Sequence, residues 1–194
     1  MQKLSRWAVA ALALMLALTT FAALPAIAQE GGATFGSDVV ANLDGVGKKM
    51  IALAEATPEN MFGWRTTKDV RTVSEVYMHT VGTNLLLLPL LGAPMAEGVE
   101  VLEGGNAMGL ARQWEADVTT KAEVIEWLKK SYAYAQENIP KIEDLDGEVQ
   151  LFGRTFTRRA VILIILSHAH EHLGQSIAYT RSMGLVPPWS QPQN

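Results

Sequence analysis

Apolar residues recur at three-to-four spacing along four stretches of the chain, and each stretch predicts a helix with one face turned inward. The first runs from a cap at Ser37-Asp38 through Val39, Val40, Leu43, Val46, Met50, Ile51 and Leu53 to a stop at Thr57-Pro58. The second covers about Thr67 to Leu91, with Pro89 expected to kink its last turn. The third begins at Thr119 or Thr120, with Glu123 as reciprocal partner in a capping box. It turns Val124, Ile125, Trp127, Leu128, Tyr132 and Ala135 inward and ends at Pro140. The fourth opens at Thr155 or Thr157 and continues to Gly184, ahead of Pro187-Pro188-Trp189.

The segments between are less regular. Residues 58–68 form a loop whose Phe62 and Trp64 are expected to pack over the end of the helices. Residues 92–117 are rich in Gly, Pro and Ala at first, with a short helix around Ala107 to Trp114. Residues 142–154 hold a turn at Asp146-Gly147 and one short extended piece. No alternating pattern runs long enough for a sheet. The fold expected is therefore all-α, an up-and-down four-helix bundle over residues 37–188, with a lead-in at 29–36 and a tail at 189–194.

Polar chemistry enters where the pattern is most apolar. Three of the four histidines, His168, His170 and His172, fall within the run VILIILSHAHEHLGQSIAY. At about 100° per residue, His168 and His172 lie roughly 40° apart on a helix, while His170 points nearly the opposite way. Val161, Ile164, His168, His172, Gln175 and Tyr179 then share a stripe. His170 shares the other face with Leu163, Leu166, Leu173 and Ile177 and is expected to be a packing residue. Two imidazoles one turn apart suit a single cation equally as well as a buried hydrogen-bonded pair. The remaining histidine, His79, sits mid-helix in the second stretch among Thr72, Glu75, Val76, Thr83, Leu86 and Leu90. If it faces His168 and His172, three neutral imidazoles converge with a position left open, the ligand set of a catalytic zinc site and one that nickel or ferrous iron also accepts. Glu75 and Gln175, each one turn from a ligand, are placed to hold a ring nitrogen or touch a substrate.

Composition narrows the chemistry. With no cysteine there is no disulfide, no thiolate nucleophile and no Cys-ligated zinc, so a metal must rest on His and carboxylates. Residues 1–28 read as an export signal: Lys3 and Arg6, an Ala/Leu-rich core, and Ala26-Ile27-Ala28 ahead of Gln29. Removing two cations and no acids takes the formal charge from −4 to −6. A mildly acidic chain with no basic cluster is not expected to bind nucleic acid. The expected location is periplasmic or secreted, with no membrane attachment once the signal is cleaved. A homodimer through an exposed helix face is compatible with the pattern.

Beyond these local readings the motifs resemble a known family. Phe62-Gly63-Trp64-Arg65, then Ser74-Glu75-Val76-Tyr77-Met78-His79, then His168-Ala169-His170-Glu171-His172-Leu173-Gly174-Gln175, and finally Tyr179 to Pro188 resemble the DinB/YfiT superfamily. The resemblance implies a four-helix bundle with a three-histidine metal site, one ligand from the second helix and two from an HxxxH followed by x-G-Q. Those positions are His79, His168 and His172. It further implies metal-dependent, thiol-handling chemistry such as that of transferases and isomerases. Together with the open position in the ligand set, the expectation is one divalent ion, zinc or nickel first and iron or manganese next, in a metal-dependent hydrolase or thiol or group transferase acting on a small molecule. Glu75, Glu171 and Gln175 are the candidates for proton handling or support of the ligands. The alternative is a non-catalytic bundle that the metal staples, or one that binds a ligand, with Glu75 closing the metal shell. His168 to His172 also fits H-x-x-E-H, the inverted zinc-peptidase signature with Glu171 as base. Such enzymes need a distant acidic ligand and a large sheet, and only 22 residues follow His172.

Overall fold

The computed structural model describes residues 34–100 and 107–192, and every structural statement below concerns these. The expected export signal, residues 1–28, lies outside them. Five helices and one small hairpin make up the fold.

Helix α1 spans Phe35–Ala56. Its cap is Thr34, three residues earlier than expected. The Thr34 hydroxyl accepts from the Ser37 amide at 3.1 Å and the Ser37 hydroxyl accepts from the Thr34 amide at 2.8 Å, so Ser37 is the far partner of a capping box. Gly47 lies on the buried face of α1, where a Cβ would stand 2.8 Å from the Tyr132 ring. A glycine that weakens the helix as a helix therefore permits the close contact with its neighbour.

Helix α2, Val73–Leu87, is capped by Thr72, whose amide donates to the Glu75 carboxylate at 2.6 Å. Pro89 does not kink it. The chain tightens instead into a single 3-10 turn, Leu88–Leu91, and leaves at Gly92 with φ +98°. Helix α3, Ala107–Asp117, follows, then α4, Lys121–Asn138, capped by Thr120.

The absence of any sheet was expected and does not hold. Strands β1, Glu148–Leu151, and β2, Arg154–Thr157, pair antiparallel from Glu148↔Thr157 to Leu151↔Arg154. Phe152 and Gly153 join them with φ of 52° and 72°, the double left-handed turn that suits a two-residue hairpin. Phenylalanine is not a turn residue, and four residues per strand is too short to register as alternation. Helix α5, Arg158–Ser182, is capped by Thr157. It ends in a Schellman motif around Gly184 (φ +78°), with the Leu185 amide donating to the Thr180 carbonyl and the Gly184 amide to that of Arg181.

The four long helices pack in a ring around one core: α1 touches α4 and α5, and α2 touches the same two. Helices α1 and α2 thus sit across the ring from each other, as do α4 and α5, which the long connections at residues 57–72 and 139–157 allow, while α2 and α4 lie side by side. The core holds Leu43, Met50, Phe62, Tyr77, Leu85, Leu128, Tyr132 and Ile165. Helix α3 packs chiefly on α2. Gly82 of α2 makes that approach possible, since a Cβ there would lie 3.2 Å from the Ala111 Cβ. No helix among the described residues is long and apolar enough to cross a membrane.

Candidate metal centre

Helices α2 and α5 face each other, and the rotation count along each puts His79, His168 and His172 in the gap. The His168 Nε2 lies 3.0 Å from the His79 Nε2 and 3.1 Å from the His172 Nε2. These three are the cluster of ligand-type side chains that the described residues bring together. His172 is 8% exposed, and the other two are half-buried.

What each outer nitrogen binds decides which lone pairs face inward. The Tyr179 hydroxyl donates to the Arg71 carbonyl at 3.0 Å, so it accepts from the Gln175 amide nitrogen at 3.1 Å. That fixes the Gln175 oxygen toward His172, whose Nδ1–H donates to it at 2.8 Å. On the other side the His79 Nδ1–H donates to the Glu115 carboxylate at 2.7 Å. Both rings therefore turn Nε2, the nitrogen without an outer partner, toward His168. Arg71 joins the two arms: its guanidinium holds Glu115 at 2.7 and 3.3 Å, and its carbonyl holds Tyr179. Trp64 supports the same point, its ring edge-on to Tyr179 with centroids 5.3 Å apart.

The electrostatics favour neutral imidazoles at His168 and His172. Burial, then the neighbouring His172, His79 and Arg71, pushes the His168 pKa down to about 3. Burial also lowers that of His172, and His79 and Arg71 add to this against the opposing Gln175 bond and Glu171 charge. For Glu115, burial alone would raise the pKa, but the bonds and charges of His79 and Arg71 outweigh it and keep the carboxyl ionised.

These residues fit a divalent ion. Three imidazole nitrogens crowd one point, an arrangement a cation completes. Nitrogens about 2.0–2.1 Å from a tetrahedral zinc stand roughly 3.3 Å apart, close to the spacing found. Two of the three histidines have the outer partner that metal-bound histidines usually keep. The third does not: the His168 Nδ1 is buried without a hydrogen bond.

The other sequence candidates fall around this cluster. Gln175 is in contact with it. Glu75 serves the α2 cap and lines an open cleft with Gln175, so it is not the residue that closes the shell. Glu171 is exposed and makes no hydrogen bond to the histidines. His170 is exposed as well, not packed as expected, because no helix covers the α5 face it shares with Leu163. Glu115 and Arg71 were not anticipated. The one signal for Glu115 is its place on the Met108, Ala111, Glu115 stripe of α3, a carboxylate closing an apolar row.

A cavity of about 410 Å³ opens beside His79 and His168, walled by Leu86, Leu90, Met108, Ala111 and Ile164 and by the hairpin tip at Leu151 and Phe152.

Comparison with known proteins agrees with this picture. The model of the DinB superfamily matches residues 42–176, a span that contains the three histidines, Glu115 and Gln175. A DinB-like protein from Bacillus cereus shares the fold with a TM-score of 0.60 at 15% identity, over 77% of this chain and 93% of its own. A DinB-like protein from Bacillus subtilis does so at 0.55 and 20% identity, over 80% and 99%. No curated protein matches the chain.

Proposed function

The chain belongs to the DinB superfamily, and from that premise we propose that it is a metal-dependent enzyme acting on a small molecule by hydrolysis or group transfer. One observation carries the reading: three Nε2 atoms converge at the wall of a ligand-sized cavity. His79, His168 and His172 are the ligands, in a four-helix bundle of DinB type. Zinc or nickel is the expected ion, with iron or manganese also suited to the donors. Bound there, such an ion supplies a Lewis acid and lowers the pKa of a coordinated water toward about 7.

The chain's own residues set up that chemistry. Gln175 and Glu115 hold His172 and His79 with Nδ1 protonated and Nε2 free. Arg71 keeps Glu115 ionised and in place. The aliphatic wall of the cavity lowers the polarity beside His79 and His168, which strengthens each polar contact there. We place the working protein outside the cytoplasm, with residues 1–28 removed.

Elemental analysis of residues 29–194, purified without affinity histidines and reloaded in turn with zinc, nickel, manganese or iron, tests the reading. About one ion per chain, lost in His79→Ala, supports it and justifies screens with hydrolase and thiol-transfer substrates. A folded chain that takes up no metal under any condition sinks it. Tightly held metal with no exchangeable water favours the non-catalytic alternative.

A further inference from the structure

Resting on the metal-centre reading above, we propose that the substrate is an amphipathic anion: an apolar body seated in the cavity beside His79 and His168, and one anionic group held by Arg112. The cavity is of ligand size, about 410 Å³, and Leu86, Leu90 and Ile164 on its walls offer an apolar body a favourable exchange for water. Its lining contains three charged side chains, Arg71, Glu115 and Arg112. Arg71 and Glu115 are committed to one another at 2.7 Å, so they cancel. Arg112 has no ion pair or hydrogen bond among the described residues.

The position of Arg112 matters as much as its freedom. It lines both the apolar cavity and a more open neighbouring cleft of about 580 Å³ that also presents Arg65 and Lys68 together with the carboxylates of Asp69 and Glu75, the latter held by the Thr72 amide. A ligand whose body fills the first would leave its polar end at the junction. There a guanidinium offers paired donors to a carboxylate, phosphate or sulfonate. At Arg112 itself a cationic end would meet like charge, and a neutral one would leave the guanidinium unpaired. The selectivity is local, because the whole chain carries −4.

The test is calorimetric titration of the zinc-loaded chain with 1-octanesulfonate, an anion that ligates metals weakly. Octan-1-ol, octyltrimethylammonium and methanesulfonate serve as controls. Octanesulfonate is expected to bind at least tenfold more tightly than each of them. Arg112→Glu should remove that margin and leave octanol binding unchanged, and Arg112→Lys should keep part of it. Leu90→Ser, at a half-exposed wall position, should weaken octanol and octanesulfonate alike. Equal binding of octanol and octanesulfonate, or of methanesulfonate and octanesulfonate, overturns the proposal, as does an Arg112→Glu chain that keeps the margin. The titration is repeated without zinc. A chain that takes up no metal yet retains the margin supports the ligand class and overturns the metal reading instead.

Discussion

His172 and His79 aim the same nitrogen at the same point, yet they are steadied by different kinds of neighbour. His172 leans on Gln175, three residues along its own helix, within a frame that the helix itself supplies. His79 leans on Glu115, 36 residues away on a helix that packs chiefly against its own. The first arrangement is set once α5 forms. The second exists only when α3 has docked, so one edge of the cluster is secured locally and the other by tertiary structure.

The largest effect expected tests the point the two arms share. His168→Ala removes the nitrogen that lies within 3.1 Å of both others, and elemental analysis should find no stoichiometric metal in that variant. Retention of one ion per chain would end the comparison, because the arms would then serve no common site.

Next come the arms themselves. Loss of an outer partner typically costs about 10- to 100-fold in metal affinity. Glu115→Gln should fall at the upper end of that range, since it removes a charged acceptor from His79 and leaves Arg71 without its partner. Gln175→Ala should fall at the lower end, since it removes a neutral acceptor. Competition against a chelator at fixed pH measures both, and the reverse order would show that the local arm is the stronger.

A smaller effect concerns the rings rather than their partners. In the unfolded chain each histidine takes up its proton near pH 6.5, whereas folding holds His168 down to about 3 and His172 below its usual range. Below about pH 6.5 the unfolded state therefore binds more protons, and acidification favours unfolding. The metal-free chain should be at full stability from this source above pH 6.5 and lose it progressively toward pH 3. Urea midpoints at pH 7.5 and 5.5 check the direction, and a midpoint unchanged between them contradicts it.

The smallest effect reaches the distal arm from behind. Gly82→Ala places a Cβ 3.2 Å from that of Ala111 and shifts α3 by a few tenths of an ångström. Zinc affinity should drop by about two- to fivefold through Glu115, well under the loss expected from removing the carboxylate itself. An unchanged chelator competition would show that α3 has slack.

The same division explains what the amino-acid order disclosed. The HxxxH pair and Gln175 follow from helical rotation within eight residues, and the long helices from their apolar spacing, with Thr caps marking the starts of α4 and α5. His79 came within reach through rotation and family resemblance together. Glu115 stayed hidden because α3 follows a Gly/Pro-rich stretch and buries no apolar side chain fully. Its one local mark, the place after Met108 and Ala111 on a single stripe, is too short to set it apart from the neighbouring Asp117. The hairpin escaped for a related reason: its turn depends on Phe152 adopting a left-handed conformation, a choice made by the surrounding structure and not by the residue.

Helix α3 has a single buried residue among its eleven, and that residue is Glu115. Its remaining hold on the fold comes from partly covered side chains, among them Trp114 stacked on Trp127 with centroids 5.8 Å apart. Such a segment can open as a unit at a free energy well below that of global unfolding. Because the same carboxylate fixes His79, any ion that demands His79 in place also opposes the opening. Occupancy of the centre would then be written into hydrogen-exchange protection along Ala107–Asp117, far beyond the three rings that hold the ion.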